Sequence, residues 1–123
     1  MTGTILVVED NRPILDMMEI LLSRMGYTSV LVNDALEAGE AVKRELPHLI
    51  LLDVMMKPVS GWEFLKELRA SDKTREIPVI IFTACPAADD KIAKLCDPHV
   101  SILYKPVNID ELRDALEKSL AGS

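Results

Sequence analysis

The sequence predicts one α/β domain, residues 1–123, in which five short β-strands alternate with five helices. Short apolar runs recur along the chain, amphipathic stretches separate them, and helix-capping residues stand before several of those stretches. Parallel strands are joined by right-handed crossovers, so this alternation predicts a central five-stranded parallel sheet with helices on both faces. The expected architecture is a three-layer sandwich.

The predicted strands are short runs rich in branched and aliphatic residues. Three of the five are apolar throughout, which is typical of strands that are buried on both faces of a parallel sheet. The runs lie at residues 5–8, 29–32, 49–52, 79–82 and 100–104.

Capping-box spacing marks the first turn of three helices. The pairs are Asp34 with Glu37, Ser60 with Glu63, and Asn108 with Glu111. The first helix is expected to begin near Asn11 and to end near Gly26, with Pro13 in its first turn. Its predicted apolar side contains Ile14, Met17, Met18, Leu21, Leu22 and Met25. A further helix is predicted within residues 87–96.

Composition and charge exclude several classes of protein. With 49% hydrophobic and 28% charged residues, the chain has the balance of a folded domain rather than a disordered one. A net charge of −6 argues against direct nucleic-acid binding, and no apolar run is long enough for membrane insertion. Cys85 and Cys96 are expected to be reduced thiols, which favours a cytoplasmic location.

Chemically active side chains stand where four of the predicted strands end. Glu9 and Asp10 follow the first strand, and Asp53 directly follows the third. Thr83 ends the fourth strand, and Lys105 follows the fifth. In open parallel sheets, ligands bind at the carboxyl ends of the strands, so these five residues are candidate site residues.

Three carboxylates gathered in one place repel one another unless a cation neutralises them. Oxygen ligands with room for water suit Mg²⁺, and a lysine beside the ion suits phosphate oxygens. The residue types needed for phosphoryl transfer to a carboxylate are therefore present.

On these residues the sequence resembles the receiver domains of the two-component response-regulator family, along essentially its whole length. The residues that carry the resemblance occur in the family's order, each at a predicted strand end: Glu9, Asp10, Asp53, Thr83 and Lys105. The resemblance implies a flavodoxin-like fold with strand order 2-1-3-4-5. It also implies a signalling domain rather than an enzyme, whose only chemistry is its own phosphorylation and autodephosphorylation.

The resemblance implies a role for each acidic residue. Asp53 would accept the phosphoryl group. Mg²⁺ would be held by Asp53, by Asp10 directly, by Glu9 through water, and by the backbone carbonyl of Met55. Met55 and Cys85 occupy positions that tune hydrolysis in the family, and neither orients water well, so slow autodephosphorylation is expected.

The remaining two residues would act on the phosphoryl group itself. Thr83 would be the switch hydroxyl, Lys105 would contact the phosphoryl oxygens, and a cis peptide would join Lys105 to Pro106. The implied donor is a sensor histidine kinase or a histidine phosphotransfer protein. The implied recipient of the signal is an unidentified output protein or domain, and the resemblance also allows a phosphorylation-dependent dimer.

The chain departs from the family pattern in two places. Lys57 stands where receivers commonly have proline, which comes one position later at Pro58. Ile102 stands where the family usually has the switch aromatic, and Tyr104 follows two positions later. Either Tyr104 replaces the missing ring or aromatic gating is absent.

Three other interpretations remain open. A pseudo-receiver would keep the fold as an interaction scaffold without phosphorylation. A Mg²⁺-dependent phosphohydrolase with an aspartyl nucleophile would need a second acid in place of Met55. A flavin or nucleotide carrier would need a phosphate-binding loop after the first strand, where the carboxylates of Glu9 and Asp10 instead repel phosphate.

Overall fold

The computed structural model describes residues 3–53, 61–83, 99–105 and 108–121. The strands are β1 (Thr4–Val8), β2 (Thr28–Val32), β3 (Leu49–Leu52), β4 (Val79–Thr83) and β5 (Val100–Tyr104). The helices of the described ranges are α1 (Arg12–Arg24), α2 (Ala35–Glu45), α3 (Gly61–Ala70) and α4 (Ile109–Ala121). All neighbouring strands are parallel, and the sheet has the order β2-β1-β3-β4-β5. The predicted fold class and strand order are confirmed.

Each face of the sheet carries its own hydrophobic core, because successive side chains of a strand point to opposite faces. The α2/α3 cluster contains Leu6, Val8, Val32, Ala38, Ala41, Val42, Ile50, Leu52, Phe64, Leu65, Leu68, Val79, Ile81 and Val100. The α1/α4 cluster contains Ile5, Val7, Leu15, Met18, Leu22, Leu49, Leu51, Ile80, Phe82, Leu112 and Leu116. The central strands are buried on both faces, which explains their continuous apolar runs.

Several strands are one residue longer than the apolar runs that predicted them. Thr4 pairs with Thr28, and Thr83 pairs with Tyr104, so the backbone ladder includes these threonines. Backbone pairing rather than apolarity therefore sets the strand ends. None of the helices in the described part of the chain is long and apolar enough to cross a membrane.

The predicted helix starts are confirmed wherever the structure describes them. The capping oxygens accept as expected: Asn11 from the Ile14 N–H at 3.1 Å, Asp34 from that of Glu37 at 2.7 Å, and Asn108 from that of Glu111 at 2.8 Å. These bonds satisfy backbone donors that have no partner within the helix. Ser60 and the helix predicted within residues 87–96 lie outside the described residues.

The apolar side of α1 differs from the predicted one. Leu15, Met18 and Leu22 are buried, whereas Met17 is 40% exposed. Apolar residues occupy so many positions of this helix that two overlapping stripes satisfy the helical period. Packing against the sheet selects the stripe through Leu15, so the prediction for Met17 was wrong.

Two glycines of this fold respond oppositely to the same substitution. Gly39 lies inside α2, and a Cβ atom built there meets no atom within 4 Å. Gly26 follows α1 with a φ of 90°, a backbone conformation that is unfavourable for residues with a Cβ atom. We expect Gly39→Ala to raise the free energy of unfolding by about 1 kcal/mol and Gly26→Ala to lower it by about 1–2 kcal/mol.

Urea denaturation of the two variants beside the wild-type protein measures both changes. Loss of stability in Gly39→Ala would show that α2 has a close neighbour at this position.

Candidate functional site

The candidate site lies at the carboxyl edge of the sheet, where the backbone ladder continues one residue beyond the strands. Backbone N–H groups of the site residues donate to neighbouring strands: Glu9 to Val32 at 3.1 Å, Asp53 to Val8 at 3.0 Å, and Lys105 to Thr83 at 3.0 Å. These bonds fix the starting points of the three side chains. The site residues are therefore attached directly to strands whose positions are fixed by the hydrophobic core.

The three predicted carboxylates converge at this edge. Glu9, Asp10 and Asp53 each offer a carboxylate oxygen within 4.8 Å of the others. Glu9 is 0% and Asp53 3% exposed, whereas Asp10 is exposed at the rim of the group. Hard oxygen donors of this kind, with one side open to solvent, are suited to Mg²⁺.

Lys105 brings a positive charge to the described part of the site. Its Nζ atom lies 2.7 Å from Oε1 of Glu9 and 3.6 Å from Oδ2 of Asp53. The Lys105 side chain is only 22% exposed, so its charge is partly shielded from water. The other carboxylate oxygen of Glu9 accepts from the backbone N–H of Asn11 at 3.2 Å.

Burial dominates the electrostatics of Glu9. The pKa of Glu9 is raised from 4.5 to about 7, chiefly by loss of solvent and further by the hydrogen bond and negative charge of Asp53. Hydrogen bonds from Lys105 and from the Asn11 N–H act in the opposite direction but do not cancel it. The charged form of Glu9 is therefore unfavourable even beside Lys105.

Phe82 belongs to the site although the sequence patterns did not single it out. The Nζ atom of Lys105 lies 5.1 Å from the centroid of the Phe82 ring, which is within the range of a cation–π contact. The only signal in the sequence was an aromatic residue immediately before Thr83. An aromatic residue in an apolar strand is expected to lie in the hydrophobic core, and Phe82 is indeed 0% exposed.

The other predicted site residues divide into two groups. Thr83 is 0% exposed at the end of β4, on the strand beside β3. Tyr104, at the end of β5, is 36% exposed and pairs with Thr83 in the ladder, and Ile102 is half-buried. The other predicted positions lie outside the described residues: Met55, Lys57, Pro58, Cys85, Cys96 and Pro106.

The strand order and the acidic carboxyl edge are the features that the sequence resemblance to receiver domains implied. The chain belongs to the family described as "Response regulator receiver domain", which matches residues 5–117. It is therefore a receiver domain, and receiver domains act with histidine kinases and output domains. The resemblance inferred from the strand-end residues is confirmed.

Several known proteins are similar to this chain. The phosphate regulon transcriptional regulatory protein PhoB of Escherichia coli (strain K12) is 36% identical over 112 residues, which is 91% of this chain and 49% of PhoB. The transcriptional regulatory protein ZraR of the same strain is 35% identical over 117 residues, which is 95% of this chain and 26% of ZraR. The chain thus spans between about a quarter and a half of the length of these curated relatives.

A solved structure agrees with this assignment. The N-terminal domain of a response regulator receiver protein from Methanoculleus marisnigri JR1 aligns with a TM-score of 0.79 at 35% identity. The alignment covers 97% of each chain. Sequence and fold therefore point to the same family.

The raised pKa of Glu9 has a measurable effect on stability. Between the ordinary value of 4.5 and about 7, folded Glu9 keeps a proton that the unfolded chain has released. The stabilisation from this proton is complete below 4.5 and is lost as the pH rises through about 7. In the presence of a chelator, we expect the wild-type protein to lose about 3 kcal/mol across this window relative to Glu9→Gln.

Urea denaturation of both proteins over a series of pH values checks this expectation. Comparison with Glu9→Gln isolates the contribution of Glu9 from those of other titrating groups. Parallel stability curves for the two proteins would contradict the assignment of a raised pKa to Glu9.

Proposed function

We propose that Asp53 accepts a phosphoryl group from a histidine kinase or a histidine phosphotransfer protein in a Mg²⁺-dependent reaction. One observation carries this assignment: Asp53 is buried among carboxylates that suit a metal ion, with the Lys105 ammonium 3.6 Å from Oδ2. With the Lys105 ammonium on one side and a bound metal ion on the other, this carboxylate could receive a dianionic phosphoryl group that would otherwise be repelled.

The residues fit a magnesium ion. Glu9, Asp10 and Asp53 offer three oxygen ligands within 4.8 Å of one another, and the family resemblance adds the backbone carbonyl of Met55, which lies outside the described residues. When bound, Mg²⁺ would supply charge neutralisation for the phosphoryl oxygens and for the crowded carboxylates. The raised pKa of Glu9 is consistent with this fit, because burial and the neighbouring Asp53 both make its charged form unfavourable when no cation is bound.

The reaction that these residues would perform is a phosphoryl transfer between two nucleophiles. A carboxylate oxygen of Asp53 attacks the phosphorus of a phosphohistidine, a P–O bond forms, and the P–N bond to the imidazole breaks. Because the other ring nitrogen of the phosphohistidine carries a proton, the imidazole leaves as a neutral group, and the product is an aspartyl phosphate. The Lys105 ammonium would stabilise the negative charge on the transferred group from the side of β5.

Phosphorylation would then change the surface next to β4 and β5, the strands whose ends carry Thr83 and Lys105. In this proposal the Thr83 hydroxyl contacts the phosphoryl group and shifts the adjoining backbone, so that an output protein, an output domain or a second copy reads the altered surface. If Tyr104 takes the place of the switch aromatic, its ring should change environment when Asp53 is phosphorylated. We further propose a cytoplasmic location and slow autodephosphorylation.

Phosphorylation can be measured with a small phosphodonor. We expect incubation with acetyl phosphate and Mg²⁺ to add the mass of one phosphoryl group to the wild-type protein. Asp53→Asn should lose the adduct because an amide is not a nucleophile, whereas Asp114→Asn, an exposed control on α4, should keep it. Intact mass spectrometry reads both outcomes.

A folded wild-type protein that never gains the phosphoryl group would instead support the pseudo-receiver scaffold. Continuous release of phosphate from many esters would support the aspartyl phosphohydrolase.

Metal binding can be measured separately from phosphorylation. We expect Asp10→Asn to weaken Mg²⁺ binding by about tenfold or more, because a neutral amide replaces one of the anionic oxygen ligands. Isothermal titration calorimetry measures this change, and Asp114→Asn again serves as the exposed control. Equal Mg²⁺ affinity in Asp10→Asn and the wild-type protein would remove Asp10 from the proposed ligand set.

A further inference from the structure

We propose that Phe82 is a positioning residue that holds the Lys105 ammonium toward Asp53, a role that rests on the proposed function. The ring lies beneath the end of the Lys105 side chain, with Nζ 5.1 Å from its centroid. At this distance the negative face of the ring attracts the ammonium. Phe82 would act only through Lys105.

The strand order explains why Lys105 needs such support. β4 lies between β3 and β5, so the Lys105 side chain must pass over the end of β4 to approach Asp53, two strand spacings or roughly 10 Å away. Phe82 stands next to last in β4 and pairs with Leu103 of β5. Phe82 belongs to the α1/α4 cluster and Leu103 packs against it. Lys105 follows Leu103 by two residues, so its side chain leaves the backbone on the same face of the sheet.

The ring can serve as a fixed support because the core immobilises it. Phe82 is 0% exposed and is surrounded by the α1/α4 cluster. Lysine is a long, flexible side chain that loses much conformational entropy when it is held in one place. A fixed ring below the ammonium reduces the number of conformations that point away from Asp53, so less of this entropy is lost during the reaction.

The chain provides a matched control for this role. It contains two phenylalanines, Phe82 and Phe64, and both are buried. Phe64 belongs to the α2/α3 cluster on the opposite face of the sheet from Phe82. Any effect of altering a buried ring in general should appear at both positions, whereas an effect on Lys105 should appear only at Phe82.

The test replaces each phenylalanine in turn by a graded series of fluorinated phenylalanines, which keep the ring's shape and progressively weaken its negative face. At position 82, we expect the rate of phosphorylation by acetyl phosphate at saturating Mg²⁺ to fall by about three- to tenfold across the series. At position 64 the rate should remain constant. In a Lys105→Ala background, fluorination at position 82 should have no further effect on the rate.

A second measurement needs neither Mg²⁺ nor phosphorylation. The Phe82 ring current should shift the side-chain NMR signals of Lys105, which Lys105→Arg identifies by their disappearance. Phe82→Leu keeps an apolar side chain without the ring, and it should remove this shift and broaden the range of Lys105 conformations. Urea denaturation of each variant reports whether the core has been weakened.

The outcomes separate the two proposals. If the wild-type protein takes up no phosphoryl group, the proposed function fails and the NMR measurement alone decides whether Phe82 holds Lys105. If phosphorylation proceeds but neither the rate nor the Lys105 signals respond to changes at position 82, the positioning role is overturned. An equal loss of rate in the Phe64 series would also overturn it.

Discussion

Excess negative charge at the carboxyl edge of the sheet is the constraint on which the rest of this structure depends. Two carboxyl groups, those of Glu9 and Asp53, are buried there and a third, that of Asp10, adjoins them. Such a group is unfavourable in a protein interior unless cations compensate it. Among the described residues, the Lys105 ammonium contacts two of these three carboxyl groups, those of Glu9 and Asp53. This grouping of carboxyl groups is the physical basis of the proposed magnesium site.

The hydrophobic cores on the two faces of the sheet make this unfavourable arrangement possible. β1, β3 and β4 are buried along almost their whole length, and their packing fixes how the strands lie beside one another. The carboxyl groups are therefore brought together by apolar contacts made elsewhere in the same strands. Core packing stabilises the fold, and part of that stability is used to hold like charges close to one another.

Much of this fold could be predicted from the sequence because strand ends and helix starts are local features. The run before Asp53 and the caps at Asp34 and Asn108 each depend on a few neighbouring residues. The stripe through Leu15 in α1 and the contact of Lys105 with Phe82 depend on distant packing and on one side chain crossing a strand. Periodicity and spacing contain no information of that kind.

The bond between Lys105 and Glu9 joins residues that are 96 positions apart in the chain. During synthesis from the N-terminus, the acidic residues emerge long before the ammonium that balances them. Contacts between such distant positions form late in folding, because closing a long loop costs entropy. A nascent or truncated chain without Lys105 would thus carry the proposed acceptor carboxylate without its lysine, so that the proposed competence for phosphorylation would arise only after β5 has been synthesised.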